Sequence, residues 1–270
     1  MKILLNNNDL NEALSKVRNL GFVPTMGSLH KGHISLIKRS KKECKKTIVS
    51  IFVNPRQFND KNDFRKYPRN HKKDLIILKK LNVNFVFIPK INQIYHTKKI
   101  TNIKIGKKNQ ILCAKFRKGH FEGVIKVMDR LTDLIKPKKI FMGEKDYQQF
   151  YLVKKYLNKK YSSKIIQCKT IRDKNKIALS SRNLLLDKNE LNLARSISKN
   201  LISFKKNLIK KKDVQKLISL KRKELNIFKK IKIEYFELWN RSTLKKTFDT
   251  KNSKIFIAYY LNKIRLIDNY

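Results

Sequence analysis

Two histidines, His30 and His33, are the residues whose type and spacing most directly suggest chemistry in this sequence. They follow an apolar run that ends at Pro24, and a helical pattern begins just after them, which predicts a strand, a glycine-bearing loop and a helix. Side chains three apart at a helix start can face the same way, and the free N–H groups of that end bind phosphate. The pattern therefore predicts an anion site with two imidazole donors, although two unrelated surface histidines would give the same spacing.

Two amides, Asn54 and Gln57, follow a β-branched, apolar stretch that predicts a buried strand over residues 47–53. In open α/β sheets, ligands bind outside the carboxyl ends of the strands. The two amides are therefore placed to hydrogen-bond a substrate. The alternative interpretation is that they only shape the turn around Pro55.

Three later loops also carry polar or charged residues. Arg117 lies in a glycine-bearing loop over residues 116–123, and Lys145 follows a short predicted strand. Further along, Ser180-Ser181-Arg182 places two hydroxyls and a guanidinium in sequence. Such groups suit the oxygens of a phosphate chain. Ordinary helix caps are the alternative interpretation for the Lys145 and Ser180 segments.

The elements that must position these residues alternate between strand and helix over the N-terminal part of the chain, which predicts a parallel α/β sheet. Strands are predicted up to Pro24 and over residues 47–53, 85–88, 139–142 and 164–170, and helices over residues 9–17, 34–45, 72–81 and 124–135. Asn7 or Asn8 would cap the first helix. Residues 100–105 alternate and predict a further, edge strand.

The alternation stops at Asp187. Two amphipathic helices are predicted over residues 190–204 and 212–228, followed by strands over residues 231–239, 255–260 and 264–268. This order predicts a small α+β unit. We place the boundary near residue 174, which divides the chain into residues 1–173 and 174–270.

Composition narrows the class of protein. The chain has 270 residues, of which 41% are hydrophobic, enough for a core. We expect no membrane span, no signal peptide, and three free thiols in a reducing cytoplasm. Lys+Arg 66 against Asp+Glu 20 gives a net charge of +46. Nucleic-acid binding is one interpretation of that charge. We favour compositional drift, because the lysines are scattered, and expect no specific nucleic-acid partner.

Taken together, glycine turns, two histidines and several cations at strand ends suit a nucleoside triphosphate. The sequence has neither a Gly-x-x-x-x-Gly-Lys-Ser/Thr loop nor a Gly-x-Gly-x-x-Gly fingerprint. No nucleophilic serine or cysteine with a partner base is evident. Transfer of an adenylyl group at the α-phosphate is the predicted chemistry, since histidines near a helix N-terminus stabilise charge that develops there.

The sequence resembles the pantothenate synthetase family, the pantoate–β-alanine ligases, in motifs that run in order over nearly the whole chain. Each motif is weak alone, and the specificity lies in their combination. The matching segments are Pro24-Thr25-Met26-Gly27 with His30 and His33, Ser50-Ile51-Phe52-Val53-Asn54-Pro55 with Gln57-Phe58, Tyr67-Pro68-Arg69, Arg117 with Gly119-His120-Phe121, Gly143-Glu144-Lys145-Asp146 with Gln148-Gln149, Leu179-Ser180-Ser181-Arg182-Asn183, and Arg265-Leu266-Ile267-Asp268.

The resemblance implies a Rossmann-like nucleotidyltransferase domain, a smaller C-terminal α+β lid domain and a cytoplasmic homodimer. It implies a two-step reaction with Mg²⁺. Pantoate first attacks ATP to give pantoyl adenylate and pyrophosphate, and β-alanine then attacks the adenylate to give pantothenate and AMP. A carboxylate nucleophile needs no general base, so catalysis would come from positioning and charge stabilisation.

The resemblance also assigns residues. His33 would be the main catalytic residue, assisted by His30 and Lys145. Pantoate and β-alanine would be held by Gln57 and Gln149, with Asn54 and Arg117 as helpers. The ATP site would be lined by Met26, Gly27, Ser28, Leu29, His30, Lys31, Gly32, His33, Gly143, Glu144, Lys145, Asp146, Ile171, Leu179, Ser180, Ser181 and Arg182. The motifs name no metal ligand.

Two departures from the family pattern stand out. Before Ser180, the family usually has Asp-Gly-Leu-Ala, whereas this chain has Asn175-Lys176 where the turn would carry its glycine. An acidic pair is common where this chain has Lys73-Asp74, so only Asp74 would remain to assist a metal. A different adenylyl or cytidylyl transferase could share the histidine loop, but it would lack the paired glutamines and the Asn54-Pro55-x-Gln57 motif.

Overall fold

The computed structural model describes residues 1–95, 103–208, 212–227 and 230–270. The chain forms two compact units, Met1–Lys169 and Thr170–Tyr270. The division lies close to the boundary expected between residues 173 and 174. Of the edge strand predicted over residues 100–105, only residues 103–105 are described, and they belong to no strand; the rest lies outside the described residues.

The first unit is built on a six-stranded sheet in the order β1-β4-β3-β2-β5-β6, and every pairing is parallel. Its strands are β1 (Lys2–Leu4), β2 (Leu20–Thr25), β3 (Lys46–Ile51), β4 (Phe85–Phe87), β5 (Lys139–Gly143) and β6 (Lys164–Cys168). Phe22, Ile48 and Ile140 on the central strands are completely buried. This burial explains why the strands read as continuous apolar runs.

The helices of the first unit are α1 (Asn7–Leu14), α2 (Lys31–Glu43), α3 (Lys61–Lys66), α4 (His71–Lys80), α5 (Ile91–Tyr95), α6 (Cys113–Phe116), α7 (His120–Ile135) and α8 (Tyr147–Leu157). The cap prediction for α1 was wrong, because Asn6 accepts from the Asp9 N–H and holds the first turn. Among the described residues, no helix has both the length and the apolarity to cross a membrane.

Helix α7 begins at His120, whereas the sequence analysis placed its start at Val124 and treated Gly123 as part of a loop. A Cβ on Gly123 would lie 2.1 Å from the Arg56 carbonyl oxygen. Gly123 is therefore a helix residue that lets α7 approach the turn at Pro55–Gln57, a short 3₁₀ helix. The glycine signals close packing here, not a loop.

The second unit holds α9 (Lys188–Leu208), α10 (Val214–Asn226) and an antiparallel sheet of β7 (Ile231–Asn240), β8 (Ser253–Leu261) and β9 (Ile264–Asn269). Its core joins residues of the helices, such as Leu201, to the completely buried Ile255 and Ile257 of β8. The predicted fold class, a Rossmann-like parallel sheet with a smaller α+β unit, is confirmed.

Candidate active site

The loop between β2 and α2 has an unusual backbone. Gly27 and Ser28 both adopt left-handed conformations, with φ of 78° and 51°. The Thr25 hydroxyl spans the end of β2, because it accepts from the Gly27 N–H at 3.1 Å and donates to the Ser50 carbonyl at 2.7 Å. A side chain on Gly27 would be strained by its φ and would meet an Asp74 oxygen at 2.9 Å. Only glycine fits this position.

The rings of His30 and His33 are in contact at the start of α2, with centroids 4.1 Å apart and planes tilted by 38°. His30 is the N-cap residue, and its Nδ1 accepts from the Gly32 N–H at 3.1 Å. His33 Nδ1 accepts in return from the His30 N–H at 3.3 Å. Because each Nδ1 is an acceptor, a neutral ring carries its proton on Nε2. The two imidazoles therefore offer two Nε2–H donors.

The surroundings keep both rings neutral. Burial, and then the positive charge of Lys145, lower the pKa of His30 to about 4, against the opposing charge of Asp146. Burial, then the neighbouring His30, lowers the pKa of His33 to about 3. Lys145 Nζ lies 2.9 Å from Asp146 Oδ1, and the charges of this ion pair act on both histidines. The structure thus brings together the three residues predicted to be catalytic.

Asn54 is almost fully buried, and both polar atoms of its side chain form hydrogen bonds within the protein. Its Nδ2 donates to Gln57 Oε1 at 3.2 Å and to the Gly123 carbonyl at 3.1 Å. Its Oδ1 accepts from the Arg56 N–H and from the Tyr95 hydroxyl. Asn54 thus shapes the turn, as the alternative interpretation held, and its contact with a substrate stays a prediction.

Gln57 links this turn to the histidine loop, because its Nε2 lies 2.8 Å from the Met26 sulfur. On the other side, Arg117 Nη1 lies 2.9 Å from His120 Nε2, and its Nη2 donates to the Gln57 carbonyl at 3.4 Å. Met26, Gln57 and Arg117, all predicted site residues, are therefore neighbours. His120 lies in the family motif with Gly119 and Phe121 but has no predicted role, and the structure places it against Arg117 and Gln57.

The two glutamines at the start of α8 differ in their surroundings. Gln148 is buried, and its Nε2 donates to the Ile111 carbonyl at 2.7 Å. Gln149, the predicted substrate residue, is half-buried, and the 3₁₀ turn Glu144–Asp146 precedes it by two residues. Gln148 therefore has a structural role, which leaves Gln149 as the substrate candidate of the pair.

Five predicted ATP-site residues lie in the second unit: Ile171, Leu179, Ser180, Ser181 and Arg182. Leu179 N–H donates to the Ile171 carbonyl at 3.0 Å, which closes a small hairpin. Ser180 caps the 3₁₀ helix Ser181–Leu185 and accepts from the Arg182 N–H, so the cap interpretation is correct for this segment. Lys176 has φ of 74° at the place where the family usually has glycine. The turn therefore keeps a left-handed backbone conformation, which favours glycine, although a lysine occupies the position.

A resident metal site is not formed by side chains alone in the described part of the chain, where no three His, Cys, Asp or Glu residues cluster. The three cysteines are free and buried. Magnesium commonly binds through one or two carboxylates together with substrate phosphates. The donor set here suits a metal that arrives with a nucleotide better than a metal held in a protein cage.

Comparisons with known proteins agree with this geometry. The family described as pantoate-beta-alanine ligase matches residues 2–270. A pantothenate synthetase of Azobacteroides pseudotrichonymphae is 40% identical over 283 residues, which cover 100% of this chain and 99% of that protein. A pantothenate synthetase of Pseudothermotoga lettingae is 39% identical over 260 residues, which cover 95% of this chain and 92% of that protein.

Solved structures show the same likeness. The pantothenate synthetase from Thermus thermophilus matches with a TM-score of 0.94 and 29% identity, over 100% of this chain and 99% of that one. The pantoate-beta-alanine ligase from Francisella tularensis, complexed with beta-gamma ATP and beta-alanine, matches with a TM-score of 0.83 and 35% identity, over 100% of this chain and 97% of that one. This chain therefore belongs to the pantoate–β-alanine ligase family, the pantothenate synthetases, and is a ligase.

Proposed function

We propose that this ligase condenses pantoate with β-alanine in two steps, through a pantoyl adenylate. The observation that carries the proposal is the pair of half-buried, neutral histidines, His30 and His33, beside Lys145. Fixed donors in a site of low polarity stabilise charge that develops on phosphate oxygens. The bound ATP analogue and β-alanine named for the Francisella tularensis structure support the same substrates here.

In the first step, a pantoate carboxylate oxygen forms a bond to the α-phosphorus of ATP. The bond from that phosphorus to the bridging oxygen breaks, and pyrophosphate leaves with the electron pair. The nucleophile is already an anion, so no base is needed. The Nε2–H groups of His30 and His33 and the charge of Lys145 would stabilise the phosphate oxygens. Mg²⁺ would enter as part of the substrate, bound to the ATP phosphates.

In the second step, the β-alanine amine forms a bond to the pantoyl carbonyl carbon. AMP leaves with the electron pair of the acyl–oxygen bond, and the amine loses a proton. Gln57 and Gln149 would hold pantoate in both steps, with Arg117 adding charge. For Ile171 and Leu179–Arg182 in the second unit, contact with ATP stays a prediction, as do the homodimer and the cytoplasmic location.

The test is exchange of labelled pyrophosphate into ATP, with Mg²⁺ and without β-alanine. We expect exchange that requires pantoate, and its absence from folded protein would contradict the adenylate. His33→Ala and Lys145→Ala should each lose most of the exchange while the fold persists. His71→Ala is the matched control, because His71 is exposed on α4 and lies outside the proposed site. Exchange at wild-type rates in both site variants would refute the assignment of the catalytic residues.

A further inference from the structure

Asp74 holds the histidine loop from a distant part of the chain. It lies in the first turn of α4, and only 1% of the residue is exposed. Its Oδ2 accepts from the Ser28 N–H at 2.8 Å and its Oδ1 from the Leu29 N–H at 2.7 Å. Both oxygens of one carboxylate are therefore bound to consecutive backbone groups of the loop that leads into His30.

The loop needs such a partner because of its backbone. A non-glycine residue in the left-handed region, as Ser28 is with φ of 51°, is strained by its side chain. Successive N–H groups in such a turn form a concave site for an anion. Here the anion is a side chain of the protein, so the Ser28 and Leu29 N–H groups are already occupied when a nucleotide arrives.

The anchored segment leads directly into the catalytic pair. Leu29 precedes the N-cap residue His30 and packs in the same buried apolar cluster as Leu78 of α4. The His30 N–H bond to His33 Nδ1 and the Gly32 N–H bond to His30 Nδ1 both depend on how the chain enters α2. A shift of the loop would break these two bonds, which set the tautomer and the orientation of both imidazole rings.

We propose that Asp74 is a positioning residue for adenylation, which fixes the loop so that His30 and His33 present their Nε2–H groups to the substrate. The proposal rests on the proposed function. Each Asp74 oxygen accepts one backbone bond and keeps a further lone pair, so the experiment must separate positioning from a role as a metal ligand.

The main test uses Asp74→Asn in the full chain. Asparagine keeps the size of the side chain but places an NH₂ group against one of the two backbone donors. We expect the kcat of pantoate-dependent pyrophosphate exchange to fall about 10- to 100-fold, the loss typical of misplaced catalytic groups, with little change in the KM of pantoate. Asp129→Asn is the matched control, since Asp129 is also buried but pairs with Lys160 and Tyr161. It should leave the exchange unchanged.

A second readout does not depend on activity. In protein with ¹⁵N-labelled histidine, His30 and His33 of the wild type should stay neutral with protonated Nε2 down to about pH 5, because their pKa values are about 4 and 3. In Asp74→Asn they should titrate closer to the ordinary value of 6.5. If the wild type lacks exchange but the imidazole signals still change in Asp74→Asn, the proposed function fails, and what stands is that Asp74 holds the loop that sets both rings.

Two outcomes would overturn the proposal. One is recovery of Asp74→Asn activity by excess Mg²⁺ with unchanged imidazole signals, which would make Asp74 a metal ligand. The other concerns the wild type, so it holds even if the variant does not fold. Rapid hydrogen exchange of the Ser28 and Leu29 amides would show that the carboxylate does not hold the loop, whereas slow exchange supports it.

Discussion

His120 Nδ1 lies 2.6 Å from the carbonyl oxygen of Gln57, a residue more than sixty positions earlier in the chain. The other ring nitrogen, Nε2, lies 2.9 Å from Arg117 Nη1. A guanidinium can only donate and a carbonyl can only accept. The geometry therefore requires a neutral His120 with its proton on Nδ1. His120 thus links the backbone of Gln57 to the guanidinium of Arg117, two residues that are predicted to bind the substrate.

This arrangement predicts the behaviour of His120 variants. His120→Ala removes the shorter of the two bonds to the Gln57 carbonyl and leaves only the 3.4 Å contact from Arg117. The loss is about 1 kcal/mol, which should raise the KM of pantoate several-fold with a smaller effect on kcat. His120→Asn can still donate from the position of Nδ1 and should recover part of the loss. Steady-state kinetics at varied pantoate check both. Equal defects in the two variants would contradict the assigned hydrogen bond.

The lowered pKa values of His30 and His33 predict how stability depends on pH. Both folded values, about 4 and about 3, lie below the ordinary 6.5, so the unfolded chain binds more protons below pH 6.5. Their contribution to stability is complete above pH 6.5 and is lost as the pH falls towards 4. The slope is at most ~1.4 kcal/mol per pH unit for each histidine.

Urea unfolding between pH 7 and pH 4.5 measures that slope. His33→Gln removes one of the two titrating groups and should flatten the dependence, whatever its effect on stability at neutral pH. The adenylation rate should not change through titration of His30 or His33 between pH 6 and pH 8. An inflection in that range that disappears in His33→Gln would contradict the conclusion that both rings are neutral.

Lys176 predicts a stabilising substitution. Its φ of 74° suits glycine, and Lys176→Gly should raise the free energy of unfolding by roughly 0.5–1 kcal/mol, because relief of left-handed strain outweighs the added freedom of the unfolded chain. Lys174→Gly in the same turn is the control and should destabilise, since Lys174 does not have a positive φ. Denaturant unfolding of both variants is the measurement, and stabilisation by neither would contradict the strain argument.

Gly123 predicts a coupled loss of stability and substrate affinity. A methyl group there would overlap the Arg56 backbone, so Gly123→Ala should cost about 1–3 kcal/mol and displace the turn that carries Gln57. We expect a higher KM for pantoate as well. Gly106→Ala is the control, because nothing lies within 4 Å of its added Cβ. A normal KM for pantoate in Gly123→Ala would show that the contact between α7 and Arg56 does not position Gln57 for substrate binding.

The sequence alone determined the local features of this ligase. Alternating apolar segments predicted the parallel sheet and the smaller α+β unit, and the three-residue spacing of His30 and His33 predicted a pair facing one way. These features depend on the period of a strand or helix, which the chain encodes within a few residues. The family resemblance, confirmed by the comparisons, rested on such local motifs read in order.

Only the tertiary structure decided which residues support the site. Asp74 contacts a loop more than forty positions away, Gly123 packs on Arg56, and β1 pairs with β4, which lies about half of the first unit further along the chain. Such contacts depend on the order of strands in the sheet, which periodicity does not encode. An aspartate or a histidine on a helix has the same local pattern whether it faces solvent or a buried backbone donor, so its role appears only when the fold supplies the partner.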